Sequence, residues 1–340
     1  MKALVTGGGG FLGGAITRRL LDLGHSVRCY TRGSYPSLEK LGVEVFRGDL
    51  ADAKAVEEAC RNCESVFHVA AKVGLWGNYN EYYQTNVTGT ENVIASCRSL
   101  GISRLVYSST PSVVFAGHDM EGMDESVPYP QHYKAADPET KAAAERIVLA
   151  ANDAQLATVA LRPHLIWGPG DTHLVPGVIA RGRTGKLRKL GKTLRLVDHT
   201  YIENAAEAHI LAANRLSPGS PISGRVFFIS QGQPLPLWEF INRILQSADL
   251  PSVTRTISPH LAYAAGWLCE IMYRTLRLRG EPPMTRFLAE ELATSHWFNM
   301  AAARQELGYR PKISTEEGFK RLEEWLRKET HNEYQQQGTG

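Results

Sequence analysis

The chain has 340 residues, of which 43% are hydrophobic and 21% charged, with 38 Lys and Arg against 35 Asp and Glu. Such a length allows about two domains at roughly 150 residues each, and the composition excludes a disordered chain, a collagen-like repeat and a polytopic membrane protein. A formal charge of +3 is too small an excess to point to nucleic acid, so any cationic surface has to be local.

Short β-rich runs alternate with runs of helical period through the first half. Ala3-Leu4-Val5 is followed by Leu12, Ile16, Leu20 and Leu23 at helix spacing and then by Val27 to Tyr30. Val43 to Phe46, Val66 to Ala70, Leu105 to Tyr107 and Thr158 to Leu161 extend the series. The rhythm predicts βαβ units in an α/β, Rossmann-type, doubly wound parallel sheet, with a dinucleotide-binding domain over residues 1–168. Beyond Gly168 the chain turns to Pro- and Gly-punctuated segments, with a strand at Val226 to Ile229 and helices near Trp238 to Leu245 and Thr315 to Leu326. We read residues 169–331 as a smaller, interleaved substrate lobe, some of whose segments return to the first sheet, and 332–340 as a flexible polar tail. The five cysteines, Cys29, Cys60, Cys63, Cys97 and Cys269, are odd in number and scattered, and Met1-Lys2 runs straight into an apolar triplet. Both features fit a reducing cytoplasm. The pair Cys60 and Cys63 has no second pair to complete a zinc site, so no metal is expected.

Directly after the first strand comes Thr6-Gly7-Gly8-Gly9-Gly10-Phe11-Leu12-Gly13, then a helix. Glycines at 7, 10 and 13 in a strand–turn–helix context permit a tight turn, close backbone approach to a pyrophosphate and close packing of helix on strand. At the end of the second strand, where an NAD enzyme carries an acid for the ribose 2′-OH, stand Thr31 and Arg32. A guanidinium there favours NADPH/NADP, through pairing with the 2′-phosphate, over the alternative of a solvated loop cation.

With these residues the sequence resembles the extended short-chain dehydrogenase/reductases, in their 3β-hydroxysteroid dehydrogenase-like branch. The other marks are Gly48-Asp49-Leu50, His68-Val69-Ala70-Ala71, Asn86-Val87-Thr88-Gly89-Thr90, Tyr107-Ser108-Ser109-Thr110, Lys141 and Leu161-Arg162-Pro163. The resemblance implies that Asp49 and Leu50 hold the adenine, that Ala70 and Ala71 line the cofactor groove with Phe11 and Leu12 near the phosphates, and that Pro163 faces the nicotinamide. A narrower likeness, in Ala71-Lys72-Val73-Gly74-Leu75-Trp76-Gly77, Pro111 to Phe115 and Arg162 to Asp171, is to the branch that reduces 2-alkyl-3-oxoalkanoates to 3-hydroxy acids in bacterial long-chain olefin biosynthesis. It implies a long-chain 2-alkyl-3-keto acid substrate, a homodimer and assembly with other enzymes of that pathway. The alternatives are a sterol-type 3β-hydroxysteroid dehydrogenase and a non-catalytic NADP(H)-binding sensor or scaffold.

Ketone reduction needs a hydride, an acid for the oxygen and a donor that holds it. By the resemblance Thr110 is the hydroxyl donor, unless the backbone satisfies it at the strand end, and Lys141 is the lysine of the family's YxxxK. Asp137 occupies the tyrosine position. A carboxyl begins near a pKa of about 3.9, and a neighbouring ammonium lowers it further, so Asp137 is expected to be ionised and the chain to be a severely impaired reductase. Tyr133, four residues earlier, is a less favoured substitute, because Pro138 is expected to start the helix and leave Tyr133 on a loop.

Three further features bear on the substrate. Seven basic residues crowd positions 181–195 with no acid among them, either as a solvated loop or as an anion-attracting rim. His164 and Trp167 follow the presumed nicotinamide wall and either line the substrate pocket or pack in the core, and Tyr201 resembles the family's aromatic near the substrate. Pro259 to Leu278 is an apolar stretch ending in Arg274, Arg277 and Arg279, which reads as a peripheral membrane contact, a pocket cover or a core helix.

Overall fold

The structure is a computed structural model that describes the backbone of residues 1–337 and the side chains of residues 1–329. Seven parallel strands form the central sheet: β1 (Lys2–Thr6), β2 (Ser26–Thr31), β3 (Glu44–Arg47), β4 (Ser65–His68), β5 (Arg104–Ser108), β6 (Ala157–Pro163) and β7 (Arg225–Ile229). Their spatial order is β7-β6-β5-β4-β1-β2-β3. The order reverses between β1 and β4, and a crevice opens there at the carboxyl ends of the strands. Burial on both faces explains the near-continuous apolar runs. Within β1, Ala3 and Val5 pack into one core layer and Leu4 into the other, as the two-residue side-chain period requires.

Eight helices matter for the site: α1 (Phe11–Asp22), α2 (Gly89–Ser99), α3 (Ala136–Ala150), α4 (Leu174–Arg183), α5 (Leu237–Ser247), α6 (Pro259–Thr275), α7 (Arg286–Ala293) and α8 (Thr315–Gln337). Helix α3 begins two residues earlier than the proline suggests, so Asp137 and Pro138 both lie in its first turn. Pro tolerates this because first-turn N–H groups have no partner inside the helix. Helix α8 runs on through Asn332, where a frayed tail was expected, and residues 338–340 of that tail lie outside the described residues.

Val226 to Ile229, expected in the second half, lies within β7 and completes the first sheet against β6. A second, four-stranded sheet, ordered Leu235–Pro236, Leu196–Val197, His296–Phe298 and Met120–Met123, takes its strands from four distant stretches of sequence. Its strand His296–Phe298 directly follows α7, which packs against α6 and lends Leu288, Glu291 and Leu292 to a cavity beside the crevice. Among the described residues no helix is long and apolar enough to cross a membrane. Cys29, Cys60, Cys63 and Cys97 are buried and unpaired, with Cys60 and Cys63 packed among apolar neighbours.

Candidate active site

The glycine loop forms one wall of a cleft of about 650 Å³ at the switch point. Gly7 holds φ at +70°, and a Cβ there would sit 3.0 Å from the Ala70 backbone. A Cβ on Gly13 would lie 2.1 Å from the Gly7 carbonyl oxygen. No side chain caps the N-terminus of α1 at Gly10, which leaves a positive backbone end facing the cleft, suited to phosphate. The loop is fixed from below. The Thr6 hydroxyl accepts from the N–H groups of Val69 and Ala70 at 3.0 and 3.1 Å and meets His68 Nδ1 at 2.8 Å, while His68 Nε2 meets Thr90 Oγ1 at 2.9 Å.

Phe11, Leu12, Arg32, Asp49, Leu50, Ala70, Ala71 and Pro163 all line this one cleft with the three glycines. Thr110, Asp137 and Lys141 line it too. The backbone cradle, the bare helix end and the cation at Arg32 match what a nicotinamide dinucleotide requires.

Two buried polar devices hold α3 and its side chains in place on the cleft. Arg162 donates to both oxygens of Glu145, at 2.6 and 3.0 Å, and Tyr129 donates its hydroxyl to the same carboxylate at 2.6 Å. The pair is buried and pins α3 to β6, setting Lys141 opposite Pro163. Asn86 accepts from the Lys72 N–H at 2.7 Å and donates to the Lys72 carbonyl and the Thr140 hydroxyl at 3.0 and 2.9 Å. It thereby ties the loop after β4 to α3.

Lys141 is buried, donates from Nζ to the Ser108 carbonyl at 2.5 Å and lies 4.4 Å from the centre of the Tyr107 ring. Burial pulls its pKa down to about 8, against the opposing pull of Asp137 and Glu145. Asp137 accepts from the Gly74 N–H at 3.3 Å through Oδ2, and its Oδ1 is buried with no partner. The expected direction for Asp137 is reversed. Desolvation raises its pKa to about 6, outweighing the Lys141 ammonium and the Gly74 hydrogen bond, because a buried carboxylate loses more hydration than one unpaired neighbour returns. Thr110 accepts from the Ser112 N–H at 3.3 Å and donates to the Ser112 hydroxyl at 3.4 Å while still lining the cleft. Tyr133 donates its hydroxyl to the Val113 carbonyl at 2.8 Å and is not among the residues lining the cleft.

A second, mostly apolar cavity of about 440 Å³ meets the cleft at Leu165, His173 and Leu174, which line both. Leu165 adopts φ of +40°, a sparsely populated conformation for a branched residue. His164 lines the cavity, with Nε2 2.8 Å from His296 Nδ1. Of the basic segment, Arg181, Lys186 and Arg188 reach the cavity wall, whereas Arg195 pairs with Asp119 at 2.8 Å. Trp167 and Tyr201 line neither cavity. Trp167 is fully buried, donates to His199 Nδ1 at 3.1 Å and packs on Tyr201, Phe240 and Phe319. Its indole needs a buried acceptor, which His199 supplies, and large neighbours, which α5 and α8 supply as Phe240 and Phe319. Sequence reasoning missed Ser112, His173, Leu174, Glu291 and His296; the last two come from beyond residue 290, and no local motif marks them.

Helix α6 settles differently from a core helix. Only Ala262, Gly266 and Glu270 are buried, a single narrow stripe, while Leu261, Trp267, Leu268, Ile271 and Met272 are exposed.

Residues 4–259 match the 3-beta hydroxysteroid dehydrogenase/isomerase family. The chain is 54% identical over 324 residues to a 2-alkyl-3-oxoalkanoate reductase of Stenotrophomonas maltophilia, covering 95% of this chain and 98% of the relative. Identity to one from Shewanella oneidensis is 48%, covering 94% and 85%. A mouse sterol-4-alpha-carboxylate 3-dehydrogenase is 33% identical, covering 94% and 89%. Among solved structures, MoeE5 in complex with UDP-glucose and NAD superposes with a TM-score of 0.74 at 24% identity, covering 97% and 100%, a likeness of fold. The glycine cradle, the parallel sheet and a family match across three quarters of its length agree: this chain belongs to the 3-beta hydroxysteroid dehydrogenase/isomerase family of oxidoreductases, within the extended short-chain dehydrogenase/reductases.

Proposed function

We propose that the chain binds NADPH and reduces a 2-alkyl-3-oxoalkanoate to the 3-hydroxy acid, with turnover severely impaired by Asp137. The observation that carries the substrate is the full-length likeness to two reductases of that name. The apolar cavity joined to the cleft, with Arg181, Lys186 and Arg188 on its wall, suits a carboxylate with long alkyl chains. Arg32, on the cleft wall, supports NADPH through its fit to a 2′-phosphate.

A bound reduced nicotinamide supplies the hydride. The Thr110 hydroxyl, on the cleft wall near Asp137 and Lys141, holds the ketone oxygen, and Lys141 serves the ribose. A phenol would reach the ketone oxygen from position 137 and stay protonated at neutral pH. Asp137 is shorter by a ring, and with a pKa of about 6 it keeps a proton in only about one molecule in ten at pH 7. Loss of a general acid removes about 10²- to 10⁴-fold of rate.

The exposed apolar face of α6, followed by Arg274, Arg277 and Arg279, supports a peripheral contact with an anionic membrane. The absence of any spanning helix among the described residues is compatible with a cytoplasmic location. The test of the function is NADPH oxidation with a racemic 2-alkyl-3-keto acid, comparing the chain with Asp137→Tyr at equal cofactor saturation. A gain of about 10²-fold or more in kcat is expected; cofactor binding by both with turnover by neither overturns the substrate.

A further inference from the structure

A second carboxyl faces the reacting centre. Glu291, on α7, lines the apolar cavity, and its Oε1 accepts from the Ser112 hydroxyl at 3.3 Å, 179 residues away in sequence. The Ser112 oxygen is 3.4 Å from Thr110 Oγ1. The three side chains therefore make a continuous hydroxyl path from the cavity to the point where a ketone oxygen sits. These contacts are long for O–H···O bonds, as such contacts commonly are before a ligand tightens them.

The surroundings leave this carboxyl free to carry a proton. Among the described residues no Lys or Arg forms an ion pair with it. From the second sheet, His296 places Nε2 2.8 Å from the Glu291 backbone oxygen and its other nitrogen on His164. Burial holds both imidazoles below their usual range, so neither presents a charge at neutral pH. Arg181, Lys186 and Arg188 line the same cavity without pairing with this carboxyl, and desolvation raises the Glu291 pKa to about 7, the Asp137 charge adding to it and the Ser112 hydrogen bond opposing it.

We propose that Glu291 is a positioning residue that supplies the proton for ketone reduction, passing it through the Ser112 and Thr110 hydroxyls. The proposal rests on the reductase reading above. The carbonyl carbon gains a hydride from the reduced nicotinamide, and the π pair moves to oxygen. That oxygen takes the Thr110 hydroxyl proton, the Thr110 oxygen takes that of Ser112, and the Ser112 oxygen takes the carboxyl proton of Glu291. The product is the alcohol and oxidised nicotinamide; both side-chain hydroxyls are restored, and Glu291 is left as a carboxylate that regains a proton from water in the second cavity. For this both hydroxyls reverse: Thr110 turns from Ser112 to the substrate, Ser112 turns from Glu291 to Thr110, and the protonated Glu291 carboxyl donates to Ser112. The route bypasses position 137.

The first test needs neither substrate nor cofactor. Infrared titration of the protein should show protonated-carboxyl absorption lost between about pH 6 and 8, with Glu291→Gln removing the component that titrates near 7 and keeping the Asp137 component near 6; a Glu291 already ionised at pH 6 overturns the proposal whatever the substrate is. The second is the pH profile of keto-acid reduction. In the parent, kcat should fall as pH rises through about 7, as the donor loses its proton. Glu291→Gln and Ser112→Ala should each lose that limb and about tenfold or more of kcat with KM little changed, and Ser112→Thr should restore both. A limb that persists in Glu291→Gln and vanishes in Asp137→Asn assigns the proton to Asp137 and overturns the relay. Absence of reduction even in Asp137→Tyr, with the infrared titration as expected, removes the substrate assignment while supporting Glu291 as a proton store.

Discussion

In the cofactor half of the cleft the contact surface is backbone: Gly7 in a left-handed turn, Gly13 pressed on the Gly7 carbonyl, and the bare end of α1. In the other half it is side chains: Thr110 after β5 and Asp137 and Lys141 on α3 line the cleft, and Glu291 on α7 lines the adjoining cavity, three separate stretches of chain. The first half recognises by shape and tolerates no added atom. The second recognises by proton affinity, so one exchanged side chain changes the chemistry while the fold and the cofactor cradle stay as they are. Cofactor affinity and turnover are therefore separable here.

Four measurements break or sharpen that contrast. Gly13→Ala drives a methyl into the Gly7 carbonyl and should weaken NADPH binding by about 10²-fold, the usual cost of an ångström-scale displacement, measured by fluorescence titration; unchanged binding would mean that the cradle is not the phosphate site. Arg32→Ala should cost NADPH about tenfold or more in Kd and leave NADH nearly unaffected, as expected for loss of a charged hydrogen bond. Asp137→Asn tests the buried carboxylate through stability. The folded pKa is raised from 3.8 to about 6, so the charged form burdens the fold above pH 6 and the burden disappears as pH falls below about 4. The variant should gain up to about 3 kcal/mol in denaturant unfolding at pH 8, two pKa units at 1.36 kcal/mol each, and converge with the parent in acid. The smallest effect is at α6. Trp267→Ser with Leu268→Ser should weaken binding to anionic vesicles by several-fold while leaving kcat on a micellar keto acid unaltered; equal vesicle binding removes the membrane reading.

What was legible in the sequence followed the same division. The glycine loop and the strand rhythm could be read because local geometry dictates residue type, and Leu161-Arg162-Pro163 was legible through the family resemblance. The structure adds why the arginine is there: it pairs with Glu145 and fastens α3 to the sheet. The direction of the Asp137 pKa was misread because Lys141, four residues on, is visible in the sequence whereas burial is not, and burial dominates. Position left Trp167 open between pocket and core, and resemblance set Tyr201 near substrate, yet what decides is distant in sequence: Trp167 packs on Phe240 and Phe319, and Tyr201 on Trp167. Glu291 had no signal at all, since its meaning depends on Ser112, far upstream.

The small sheet has a consequence for how the protein is made. Met120–Met123 pairs with His296–Phe298, so that ribbon cannot close until nearly nine-tenths of the chain has left the ribosome. The seven-stranded sheet is complete in sequence at Ile229, some seventy residues sooner. Synthesis from the N-terminus thus completes the sheet that carries the glycine cradle before Met284, Leu288, Glu291 and His296 exist to close the apolar cavity.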